Sequence, residues 1–289
     1  HGHDIVVHNT HANSGRGGVS LANAILREAY LALGLVVILL GSMWLATGSF
    51  PPMVVVESGS MMHDEEGSVG TIDPGDLVLV MNPDRKDVIT FVEATDEGNE
   101  NYGHESHGMP GDVIVYKKNG GSDTPVIHRA LLKAVYNESG GWDVPGTTLV
   151  NVNSVNWVLD YQCPYHGGFY NLEITNWEPP HEGYLTTGDN EETNGCKIDQ
   201  RVATGDDPRQ GLRDEFGNPV TAVKDEWVVG IASSEIPWIG AAKLILSPDP
   251  GASQVTQKTW TSLSLVVATI FIAPLVVEYI FDHRSDEEE

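Results

Sequence analysis

Residues 112–136 read DVIVYKKNGGSDTPVIHRALLKAVY, and this stretch decides the fold class. Val, Ile, Leu and Tyr gather into three short runs, Asp112–Tyr116, Val126–Ala130 and Leu131–Tyr136, with Asn, Gly, Ser, Asp and Pro between the first and second. β-branched and aromatic runs bounded by turn formers are a strand signal. The same signature recurs outward at Leu77–Met81 and Val54–Glu57 on one side and at Trp227–Ala232 on the other. No helix-period pattern of comparable strength lies between them. The expectation is a mainly β domain, a sandwich or partly closed barrel, with two polar insertions that read as loops, at about 82–109 and 151–180. No internal repeat is present.

Apolar stretches flank this domain. Ala29 to Phe50, AYLALGLVVILLGSMWLATGSF, contains no charge. At ~1.5 Å per residue it is long enough to cross a hydrocarbon core of ~30 Å. A cleaved signal peptide would have an apolar core of only ~7–15 residues and a small-residue cleavage site behind it; this stretch is longer and runs into Pro51-Pro52. The second is Trp260 to Ile280, WTSLSLVVATIFIAPLVVEYI, apolar except for Glu278 and carrying a helix-kinking Pro274. Arg16 and Arg27 precede the first stretch and Glu57 is the first charge after it, which puts the N-terminus in the cytoplasm. The expected organisation is a cytoplasmic tail at 1–28, a transmembrane helix at 29–50, an extracytoplasmic domain at 51–258, a second transmembrane helix at 259–281 and an acidic cytoplasmic tail at 282–289. Asn137-Glu138-Ser139 would be a glycosylation sequon on the outer side.

The net charge is −25, from 41 acidic and 16 basic residues. So acidic a chain repels nucleic acid and anionic lipid headgroups, which excludes phosphate-backbone binding and adsorption through basic patches. Seven Trp and nine Tyr give it ample material for a core, against disorder. Acidity then reads as adaptation to high salt, where screening weakens self-repulsion. Cys163 and Cys196 are the only cysteines, so this is no disulfide scaffold; one bridge or two free thiols are both open.

Chemistry enters at Glu57-Ser58-Gly59-Ser60-Met61-Met62, about ten residues beyond the first apolar stretch. Gly59 permits close backbone approach at Ser60. A serine hydroxyl is a poor nucleophile until a base takes its proton. His128, inside the strongest strand signal, has a fixed direction and the side chain best suited to general-base work near neutral pH. A third group must orient the imidazole, and either Asp189, in LTTGDN, or Asp199, before Gln200-Arg201, supplies a carboxylate. Cys163, His166 and Cys196 do not meet zinc-ligand spacing. The N-terminal HGH, His8 and His11 cluster, and His104 with His107, read as solvated loop residues.

In order along the chain stand SGSM at Ser58–Met61, Gly75-Asp76-Leu77-Val78-Leu79-Val80, GDVIVY at Gly111–Tyr116, VIHR at Val126–Arg129 and LTTGDN at Leu185–Asn190. The set resembles signal peptidase I, and a histidine where a lysine base would stand points to the archaeal and endoplasmic-reticulum branch. Val228–Ala232 and Ile236–Gly240 resemble that branch's closing segment. The similarity runs from about Met53 to Leu244. Three departures are visible: His63 and an acidic Asp64-Glu65-Glu66 follow SGSM where the family usually has proline, the gap between Asp189 and Asp199 is longer than usual, and Cys196 sits inside that gap.

The resemblance implies a signal-peptidase-like β catalytic ectodomain and a membrane-bound serine endopeptidase that removes signal peptides after small-X-small sites. Ser60 would be the nucleophile and His128 the base. Ser58 and the Ser60 N–H would form the oxyanion hole. Asp199 would orient His128, with Asp189 nearby as a structural or alternative partner. No metal or organic cofactor is called for. The implied partners are signal peptides of secretory preproteins and the lipid bilayer, with the protein-translocation machinery as a further candidate, and no nucleic acid; the location is the cell membrane, with the domain on the extracytoplasmic face. The alternative is an inactive or accessory membrane subunit that binds preproteins.

Overall fold

The computed structural model describes residues 16–194, 196–207, 210–246 and 254–287; the HGH, His8 and His11 cluster lies outside them. Two units are present, one ending at Ala46 and one beginning at Thr47. The first holds helix α1 (Arg16–Thr47) as far as Ala46, and the helix segment Asn23–Thr47 is long and apolar enough to cross a membrane. Its 25 residues span about 37 Å at helical rise. The helix ends at Thr47, ahead of the expected Phe50, because Gly48 takes a positive φ of 71° and Pro51-Pro52 cannot continue the helical ladder.

The second unit is mainly antiparallel sheet. In chain order it contains β1 (Met53–Val55), β2 (Leu77–Met81), α2 (Phe91–Thr95), β3 (Glu105–Ser106), β4 (Met109–Pro110), β5 (Val113–Tyr116), β6 (Val126–Tyr136) and β7 (Trp142–Asp143). There follow β8 (Val155–Gln162), β9 (Phe169–Trp177), β10 (Gly183–Thr187), α3 (Glu191–Asn194), β11 (Val228–Ile236), α4 (Ala241–Leu246) and α5 (Gln257–Glu287). The large sheet runs β1-β2-β11-β5-β6-β10, with β7 paired to β6 and every pairing antiparallel. In α5 the segment Gln257–Ile280 is again long and apolar enough to cross a membrane, and the helix continues through Pro274.

The six expected strands all appear, with one change. Val126–Ala130 and Leu131–Tyr136 form a single strand of 11 residues, β6, broken only in register: Leu185 faces Leu132 while Thr186 faces Ala130. Leu131 is thus the extra residue of a bulge, the device by which a strand re-aims its side chains. A second close fit lies at Gly230 in β11, where a Cβ would overlap Val80 and stand 2.8 Å from the Met81 carbonyl.

The two insertions are not plain loops. Residues 82–109 contain α2, started by a Thr90–Glu93 capping box, and most of the β3–β4 hairpin. Residues 151–180 contain the β8–β9 ribbon, paired from Val155–Trp177 to Gln162–Phe169. Burial alternates along β8: Val155, Leu159 and Tyr161 face the core, Asn156, Asp160 and Gln162 face solvent. Its inner face joins Leu131, Leu132, Leu185 and Phe91 in one cluster. A second cluster forms around Ile114, Tyr116, Val223 and Ile231, and a third around Val56, Met61, Ile72 and Val78.

The strand path ends at β1 and β10 without pairing them. The loops after these two end strands nevertheless meet. Asn190 donates its backbone N–H to Ser60 O at 3.1 Å and its amide Nδ2 to Gly59 O at 2.7 Å. That junction is where the candidate site sits.

Candidate active site

His128 is the third residue of β6, opposite Ile114 in β5, and is almost completely buried. Its Nδ1 lies 2.6 Å from Asp199 Oδ2. The same oxygen accepts from Thr186 Oγ1 at 2.7 Å and from Tyr116 Oη at 3.3 Å. Gln200 Nε2 donates to Thr186 Oγ1 at 3.1 Å, and Gln200 Oε1 accepts from the Thr186 N–H at 2.9 Å. The Asp199 backbone is held as well, its N–H on Thr186 O and its carbonyl under the Leu212 N–H. The carboxylate therefore has one position. Burial, followed by the nearby Asp199, pushes the Tyr116 hydroxyl well up, so it stays a donor. An ionised Asp199 only accepts, which puts the imidazole proton on Nδ1 and leaves the lone pair on Nε2.

Ser60 follows β1 and lines the same cleft as His128, a volume of about 800 Å³ that Ser58, Lys243 and Gln254 also border. Ser60 Oγ stands 3.5 Å from Ser58 Oγ and makes no hydrogen bond to His128. Met62 N–H and Asn190 Nδ2 both donate to Gly59 O. Among the described residues the Ser60 N–H donates to no other group. Since N–H and C=O point oppositely across a trans peptide, anchoring Gly59 O fixes the direction of the Ser60 N–H. Lys243, the lysine on the cleft, is exposed and paired with Glu57 at 3.1 Å, so His128 is the better-placed base.

Asp189 is brought to different company. Arg129 grips it with Nε at 3.1 Å and Nη2 at 2.6 Å, Tyr161 donates at 2.7 Å, and His63 Nε2 lies 3.0 Å away. The carboxylate in contact with His128 is that of Asp199, and Asp189 makes no hydrogen bond to His128. Burial would raise its carboxyl, but the Arg129 guanidinium and His63 hold it well below the usual carboxylate range. The remaining Arg129 nitrogen donates to the carbonyls of Ser106 and Gly111 at 2.9 and 2.7 Å, which fastens the β3–β4 hairpin over the strand.

No family model matches this chain, and no curated protein or solved structure matches it. The functional reading rests on the residues themselves.

Several contributors carried no signal that the sequence alone exposed. Thr186, Tyr116 and Asn190 lie within quoted motifs but acquire roles only through packing. His104 and His107 correct the expectation of solvated loops: His104 Nε2 lies 2.8 Å from Asp112 Oδ1, and His107 is buried beside Glu235. Cys163 and Cys196 form a disulfide with Cα atoms 6.0 Å apart. It ties the end of the ribbon to the segment between Asp189 and Asp199.

Proposed function

We propose that this chain is a membrane-bound serine endopeptidase of the signal peptidase I type, acting on preproteins at small-X-small sites. The observation that carries the reading is the 2.6 Å contact of His128 with Asp199 inside the cleft that Ser60 borders. The reading requires Ser60 Oγ to turn from Ser58 toward His128 Nε2 as substrate enters; hydrogen bonds of this kind are commonly loose before substrate binds. His128 takes the proton as Ser60 attacks the scissile carbonyl, and the developing oxyanion is received by the Ser60 N–H and the Ser58 hydroxyl. His128 then protonates the leaving amine and activates the water that hydrolyses the acyl-enzyme.

Two apolar helices long enough to span a bilayer support an anchored enzyme, with the sheet unit on the extracytoplasmic face. Sharing a bilayer with the substrate's own apolar segment raises the effective concentration. The charge of −25 supports a high-salt setting. One observation favours an accessory, non-catalytic binder of preproteins: Ser60 Oγ contacts Ser58 in place of His128.

Cleavage of a preprotein with a small-X-small site by the full-length chain, in lipid and high salt, separates the two. The enzyme reading expects cleavage by wild type and none by Ser60→Ala or His128→Ala. Binding without turnover by wild type would establish the accessory reading instead.

A further inference from the structure

The segment leading into α5 reaches back to the Ser60 loop. Gln254 Oε1 accepts from the Gly59 N–H at 3.0 Å. Thr256 Oγ1 donates to Glu66 O at 2.9 Å and Lys258 Nζ to Gly67 O at 2.7 Å. Val255 is buried against Ala241 and Leu244, with Val55, Trp260 and Leu263 packed on the same cluster. Thr259 is buried beneath Gly75, whose φ is +98° and whose missing Cβ would stand 3.2 Å from the threonine methyl. The start of the second apolar helix is thus docked along the whole turn that carries the serine.

Gly59 is the residue in this turn with the widest backbone freedom. Its carbonyl is anchored by Asn190 on one side and its N–H by Gln254 on the other. Two successive peptide planes are fixed, and the only rotations left between them are those of Gly59 itself. The second plane contains the Ser60 N–H, the donor of the oxyanion hole. Remove Gln254 and the first plane loses this anchor, so the aim of the Ser60 N–H rests on the contacts to the Gly59 carbonyl alone.

We infer that Gln254 is a positioning residue for the Ser60 loop, which makes the entry to α5 part of the reaction machinery as well as an anchor; this rests on the serine-peptidase reading above. The effect belongs to the transition state, where the oxyanion forms, more than to substrate binding.

The test compares wild type, Ser60→Ala, Gln254→Met and Gln254→Glu as full-length chains in lipid, with kcat and KM measured on the same preprotein and thermal unfolding followed in parallel. Methionine keeps the length of the side chain without its carbonyl; glutamate keeps an acceptor oxygen. The expected result is a loss of roughly five- to tenfold in kcat for Gln254→Met, the scale of one neutral hydrogen bond, with KM and the unfolding midpoint unchanged and kcat largely restored in Gln254→Glu. A kcat for Gln254→Met equal to wild type overturns the inference, as does an equal loss in Gln254→Glu, which would assign the effect to packing. Inert wild type, or cleavage by Ser60→Ala at the wild-type rate, overturns the peptidase reading itself and the inference with it.

Discussion

Asp189 and Asp199 are both buried and both stand in the segment after β10, yet they sit in opposite kinds of environment. Asp189 faces a permanent cation, Arg129, and its oxygens are saturated by guanidinium, phenol and imidazole donors. Asp199 Oδ2 faces an imidazole and accepts from two hydroxyls. A carboxylate locked to arginine is a strut: its charge is already neutralised and no proton transfer nearby alters it. A carboxylate set against an imidazole stabilises a charge that appears only when the imidazole takes a proton. Motif position alone puts the two on equal terms; their partners separate them.

The comparison breaks most sharply at Asp199. Asp199→Asn should leave the fold intact, because amide and carboxylate have the same shape, while turning the imidazole to the wrong tautomer. Cleavage should fall by roughly 10³- to 10⁴-fold, read as kcat alongside an unchanged unfolding midpoint. A variant with near-wild-type kcat would remove Asp199 from the reaction.

Arg129→Met tests the other side. It leaves Asp189 buried without its counter-ion, a change that typically costs about 3–5 kcal/mol. Denaturant unfolding of the full chain in high salt should show the loss, whether or not the protein is an enzyme. If stability moved by less than about 1 kcal/mol, in the range of a surface ion pair, the strut assignment would fail.

A third carboxylate environment sharpens the contrast at smaller scale. Asp73 and Asp76 face one another without a cation, and Asp73 Oδ1 is buried with no hydrogen-bond partner. Burial, then repulsion from Asp76, raises the Asp73 carboxyl to about 6; burial likewise raises Asp76 to about 6. A raised carboxyl contributes stability below its unfolded value near ~4 and loses that contribution as pH rises through the folded value. Asp189, held low, has the opposite sign: its contribution is complete above pH ~4 and disappears only in strong acid. Unfolding midpoints measured from pH 4 to 7 should therefore fall more steeply with rising pH in wild type than in Asp73→Asn. Parallel curves would show that this pair does not govern the slope.

Much of the sheet was legible because its strands are short β-branched runs with turn formers between them, and β5, buried throughout, reads as an unbroken apolar stretch. The ribbon was not legible as structure: Asn156, Asp160 and Gln162 on its outer face made the whole segment resemble a polar loop, although the inward set repeats at every second residue. Ser60, His128 and Asp199 were reachable through motif order. The stretch between the two aspartates contains α3 and Cys196, whose bond to Cys163 pins it. Arg129 looked like a motif neighbour of His128 because nothing local announces a buried guanidinium; its partners come from the hairpin and from the segment after β10. Gln254 had no signal at all, since its contact with Gly59 spans 195 positions.

The meeting of the loops after β1 and β10 has a consequence for the life of the chain before it is finished. Gly59 and Asn190 are separated by 131 positions, so the turn bearing the serine gains its Asn190 anchor only once the chain has been made past β10. A nascent or clipped chain that ends before that point has its hydroxyl but neither the fixed peptide nor the oriented base. On the peptidase reading, such a design acts as its own safety catch: the hydroxyl gains its partners only after most of the sheet unit has been made.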